Sequence, residues 1–109
     1  MAPVTPAQIF PGYTSDGTVI TIPIADLDGL TPAEADAATG NAMELLRMII
    51  EKAQTQLNAM ATTARPARAT LTKDPVAIAA GTGVAPGTLR QGYRLTFDLT
   101  PTSLEPAPE

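Results

Sequence analysis

Eleven prolines and eight glycines are spread through only 109 residues, and that punctuation limits how much regular structure the chain can hold. Proline removes a backbone donor and glycine raises the entropy cost of ordering, so long irregular arms around a small core are expected. The length supports one domain, and a domain this small buries roughly two-thirds of its unfolded surface. Aromatics, which contribute the most buried area per residue, are limited to Phe10, Tyr13, Tyr93 and Phe97. Much of the apolar content is alanine, which buries little. The expectation is a thin core whose extended segments need a partner to hold them.

Residues 1–18 read as an extended N-terminal arm, rich in Pro, Thr and Gly, with Ile9, Phe10 and Tyr13 as docking anchors and a turn at Asp16-Gly17. Val19 to Ile24 alternates β-branched residues, which predicts a strand with Ile20, Ile22 and Ile24 on one face. Pro23 places that strand at an edge. Thr31-Pro32-Ala33-Glu34 has the form of a helix start, with Thr31 as cap, Pro32 at the first helical position and Glu34 reaching back. Thr39-Gly40 interrupts it, and a second start at Thr39 or Asn41 opens the main helix, which runs to about Ala61. Leu46, Ile49, Ile50, Ala53, Leu57 and Met60 recur at helical spacing as one stripe, widened by Leu45 and Met48. That width suggests two surfaces to cover, the chain's own sheet and a second chain; a single core face with scatter is the alternative.

Arg65-Pro66 ends the helix. Ala67 to Lys73 reads as a strand, with Ala69 and Leu71 opposite Thr70 and Thr72, and residues 92–100 as a second, with Tyr93, Leu95, Phe97 and Leu99 on one face. Between them lies a connection from Asp74 to Gln91, long enough to be functional, with room for a short strand at Val76–Ala80 and with Val84 and Leu89 as candidate contact residues. The fold class expected is α+β: one long helix packed on a small antiparallel sheet of about three or four strands. It comprises a single domain over 19–100, the N-terminal arm, and a Pro/Glu-rich tail over 101–109.

The formal charge of −4 and scattered basic residues argue against nucleic acid, which selects clustered Lys and Arg. No apolar run approaches the ~20 residues of a membrane span. The chain has neither histidine nor cysteine, so the usual general base, thiol nucleophile and thiolate metal site are missing. Ser15 and Ser103 sit in flanks without a neighbouring base. Asp26-Leu27-Asp28-Gly29 lacks the third ligand of a calcium loop and has Ala37 where that loop needs glutamate. Gly81 to Gly87 has no lysine and no following helix, so it is no phosphate loop. Glu34, Glu44, Glu51 and Asp98 are each explained by a cap or a solvated face. A non-enzymatic protein with no cofactor, no metal and no catalytic residue is expected.

The run from Thr21 to Asp36, TIPIADLDGLTPAEAD, followed by Thr39-Gly40 and a helix, resembles small virion structural proteins of cyanobacterial tailed phages. Their pattern is an isoleucine strand, ADL-GLT-AEAD--TG, one long helix and a Thr-rich hairpin. The resemblance covers residues 19–61 by motif and 67–100 by layout, and this chain departs from it in its longer Gly/Pro-rich connection and aromatic-poor helix. It implies a virion component assembled in the host cytoplasm. A capsid cement or decoration protein leads, forming a dimer or trimer and contacting other virion proteins, above all the major capsid protein. A tail or baseplate component is the second reading, and a binding module using the 74–91 connection the third. The interface is expected at Ile9, Phe10, Tyr13, Leu45, Met48, Val84 and Leu89.

Overall fold

A computed structural model describes residues 4–66, 69–99, 101 and 106. The fold is α+β, with one long helix and antiparallel ladders of two strands each. The strands form three separate pairs rather than one sheet of three or four. The chain divides into two compact units, Met1–Arg65 and Pro66–Glu109.

In the first unit, residues that read as arm are folded. Helix α1 spans Pro6–Ile9, opened by Pro6 and by Gln8 Oε1 accepting the Thr5 N–H at 2.7 Å. Strand β1 (Thr14–Ser15) pairs with β2 (Ile20–Thr21) across the Asp16-Gly17 turn. Asp16 Oδ1 accepts the Val19 and Thr18 amides at 2.7 and 2.8 Å, which holds its carboxyl below the usual carboxylate range. The strand expected over 19–24 is therefore cut to two residues. Pro23 closes it, and Ile24–Asp26 turns into a 3₁₀ segment. Ile20 and Ile24 are exposed while Ile22 packs on the core, so the three isoleucines do not share a buried face.

The Thr31 capping box forms, with Glu34 Oε1 accepting the Thr31 N–H at 2.9 Å and Thr31 Oγ1 accepting the Glu34 N–H at 3.2 Å, yet it closes one turn only. The chain folds back instead. Gly40 donates to the Asp36 carbonyl at 3.0 Å and Asn41 to the Glu34 carbonyl at 2.8 Å. A Cβ on Gly40 would stand 2.3 Å from the Glu34 oxygen, so only glycine fits this return. Helix α2 (Ala42–Ala59) then starts at Asn41, whose Oδ1 accepts the Glu44 N–H at 3.1 Å. Arg65 closes its far end, donating to the Met60 and Asn58 carbonyls at 3.1 and 2.9 Å.

Leu27, Leu30 and Met48 form the core, with Phe10, Ile22, Ala35 and Ile49 packed around them. The 27–30 turn lies against α2 closely enough that a Cβ on Gly29 would meet Met48 Sδ at 2.4 Å. This approach selects the buried side of the helix. Met48 is 6% exposed and Leu46 50%, so the stripe centred on Leu46 is displaced toward Met48.

In the second unit, β3 (Ala69–Lys73) pairs with β6 (Tyr93–Phe97) in the register Ala69↔Phe97 to Lys73↔Tyr93. The connection expected to lack structure continues this hairpin: β4 (Ala77–Ile78) pairs with β5 (Leu89–Arg90). From Lys73↔Tyr93 to Ala77↔Arg90 the first strand advances one residue more than the second. The extra residue falls at Asp74-Pro75-Val76, a bulge at the place where proline cannot donate to a ladder. Ala67, Arg68 and most of the 101–109 tail lie outside the described residues.

Candidate interaction surface

Antiparallel pairing with Ala69 opposite Phe97 and Leu71 opposite Leu95 puts Ala69, Leu71, Tyr93, Leu95 and Phe97 on one face of the β3–β6 ribbon. Thr70, Thr72, Arg94 and Thr96 take the other face, where the Thr70 and Thr96 hydroxyls share a hydrogen bond. Such an alternation normally marks one face against a core. Here Leu95 and Phe97 are each 51% exposed, and Leu99, just beyond the strand, is exposed as well. At the bulged end of the hairpin Val76, Ile78 and Leu89 are exposed too.

Among the described residues only Leu27, Leu30, Met48 and Ala79 are buried apolar side chains, whereas twelve large ones are exposed. Isolated exposed apolar residues are ordinary, but a contiguous run of them marks an interaction surface. On the ribbon face the run is Leu95, Phe97 and Leu99, beside half-buried Ala69, Leu71 and Tyr93.

The residues expected at an interface divide into three groups. Met48 is a core residue of the first unit, a correction imposed by the Gly29 turn, and Phe10 packs against the same core. Ile9, Tyr13 and Val84 are half-buried. Leu45 and Leu89 face solvent. Leu95, Phe97 and Leu99 were read only as sharing one face of a strand and were not among the expected interface residues; their exposure is what sequence reasoning missed. The chain's one long amphipathic helix spends its buried face on Leu27 and Leu30, a long-range allocation for which the sequence carried no signal.

No family model, curated protein or solved structure matches this chain.

Other features are less suited to chemistry. A recess of about 40 Å³ lined by Asp28, Met48, Glu51, Lys52 and Thr55 is far smaller than the ~300–1,000 Å³ of a small-molecule site. Among the described residues no three acidic side chains cluster as a metal site, and no helix is long and apolar enough to cross a membrane. Among the described carboxylates with shifted acidity, Asp16 and Asp36 are exposed and Glu44 is half-buried, and all three serve local structure. Asp36 is lowered first by the Thr39 amide and then by that of Ala38, and Glu44 by its hydrogen bond from Arg47. The Glu44–Arg47 pair at 2.7 Å joins a half-buried and an exposed position one turn apart on α2.

Proposed function

We propose that this chain is a non-enzymatic structural subunit that works by packing against other chains. The observation carrying the reading is the exposure of Leu95, Phe97 and Leu99 on the apolar face of the β3–β6 ribbon. A lone two-stranded hairpin is marginal in water and becomes stable when further strands or a packed layer cover its apolar side. A neighbouring subunit supplies that cover, and repeated weak contacts in an assembly add up through avidity.

The resemblance of residues 19–61 to virion proteins supports a virion as the assembly, and the avidity of many copies favours the shell as the place. In this reading the protein is a capsid cement or decoration protein, forms dimers or trimers, and bridges neighbouring copies of the major capsid protein. It requires no cofactor, nucleic acid or membrane. Purified particles test this: the chain is expected at shell stoichiometry, while a small multiple of three or six copies moves it to the tail or baseplate. Absence from particles contradicts the virion reading.

The exposure of Val76, Ile78 and Leu89 at one end of the hairpin favours a second reading, a binding module for a host factor or glycan. Ligand binding by the isolated chain that is lost on deletion of residues 74–91 would support it over the first.

A further inference from the structure

The outer edge of β6 is complementary to itself, and we infer that two copies of this chain join there as an antiparallel, twofold-symmetric pair centred on Thr96. This rests on the structural-subunit reading and names the surface at which that subunit meets its own copy.

The backbone sets the allowed registers. The Asp74 N–H donates to the Gly92 carbonyl at 2.9 Å, in line with the β3–β6 register, so the residue pairs 74/92, 72/94 and 70/96 face each other through their hydrogen bonds. The N–H and C=O groups of Leu95 and Phe97 consequently point away from β3, toward an edge with no partner strand among the described residues. A second β6 placed antiparallel there must pair odd residues with odd residues. Pairing Leu95 with Phe97 of the copy satisfies this, and by symmetry occurs twice.

Side chains select that register. It sets Arg94 opposite Asp98 of the copy, also twice, and Thr96 opposite Thr96. Neither Arg94 nor Asp98 has an ion pair among the described residues. Sliding the copy by two residues either way keeps the backbone parity but breaks both charge pairs, placing Thr96 opposite Arg94 or Asp98. These even-numbered positions are the non-hydrogen-bonded pairs of the new ladder, where side chains approach most closely. The β3 edge offers no equivalent, since Ala69 to Lys73 carries a single cation and no acid. Lysine on an edge opposes strand addition.

The product is a four-stranded sheet, β3–β6–β6–β3, with a row of threonines (70, 96, 96, 70) on one face. Its other face carries Ala69, Leu71, Leu95 and Phe97 of both copies, doubling the apolar surface available to a further partner. The pairing runs from Arg94 to Asp98; beyond it Leu99 forms an isolated bridge with Pro106 of its own chain.

The chain has no cysteine, so Thr96→Cys in the full-length protein can form a disulfide only between copies. A non-hydrogen-bonded pair brings its Cα atoms to about 4.5 Å, inside the range a disulfide spans. Under oxidising conditions this variant is expected to run as a covalent dimer, while Thr72→Cys, on β3, stays monomeric. In sedimentation equilibrium Arg94→Asp is expected to weaken dimerisation about tenfold or more, and Arg94→Asp combined with Asp98→Arg to restore it. Circular dichroism confirms that each variant is folded. A Thr96→Cys chain that does not cross-link, or a wild-type dimer indifferent to both charge reversals, overturns the edge pairing while leaving the subunit reading to the particle measurement. Dimerisation only after removal of residues 101–109 also overturns it, since the chain's own tail would then hold the edge.

Discussion

The two units of this chain are specified by similar local chemistry but completed to different degrees. In Met1–Arg65, capping and turn hydrogen bonds accepted by Gln8, Asp16, Glu34, Asp36 and Asn41 surround a real if small core of Leu27, Leu30 and Met48. In Pro66–Glu109 the register of β3 and β6 is equally well defined, yet Leu95 and Phe97 stay half exposed. Turns and ladders decide where a chain bends and pairs. Burial of apolar area decides whether the result stands alone. The first unit has both, whereas among the described residues of the second the pairing is complete and the cover over Leu95 and Phe97 is only partial.

The contrast breaks most readily at Met48. Met48→Ala is expected to cost about 2–5 kcal/mol in chemical denaturation, while Leu46→Ala on the exposed side changes stability by no more than about 0.5 kcal/mol. Equal losses at the two positions would mean the buried side of α2 is misplaced. Next in size is Gly40→Ala, expected to cost about 1–3 kcal/mol because backbone oxygens, which cannot move aside as a side chain would, occupy the space its Cβ needs. Asn41→Ala removes the α2 cap and should cost about 1 kcal/mol, read as a lower thermal midpoint.

In the second unit the expected sign of the contrast reverses. Phe97→Thr should change the stability of the dilute chain by less than about 1 kcal/mol, because little burial is lost, yet reduce its incorporation into assemblies. A stability loss as large as that of Met48→Ala would give the ribbon a core of its own. The smallest effect is acid-dependent. The folded acidity constants of Asp16 and Asp36 are lowered by amide donors, so their contribution is present in full above the unfolded value, near pH 4, and is lost as pH falls through the lower folded value. Chemical shifts of residues 16–19 and 36–39 should move in that window; shifts elsewhere alone would contradict it.

Much of this architecture was legible in the sequence because its signals are local. The Asp16-Gly17 turn, a start for α2 at Thr39 or Asn41 (Asn41 is the cap), the helix itself and the alternation of residues 69–73 and 93–97 each depend on neighbours within a few positions. Three features were not. The Thr31-Pro32-Ala33-Glu34 start forms its hydrogen bonds but no helix, since the missing Cβ of Gly40 permits a tighter return that competes with propagation. The stripe on α2 could not say whether Leu46 or Met48 points inward, because the crossing at Gly29 is a long-range fact. Alternation placed Tyr93, Leu95 and Phe97 together but could not say whether anything covers them. Of the residues expected at an interface, Leu45 and Leu89 are exposed, while Met48 belongs to the core.

Amide hydrogen exchange at two protein concentrations tests the central claim most directly. Protection of the Leu95 and Phe97 amides, which point away from β3, should rise with concentration as another chain covers them, while protection along α2 stays constant. Protection at Leu95 and Phe97 that already matches α2 in the dilute chain and does not change on concentration would contradict the account.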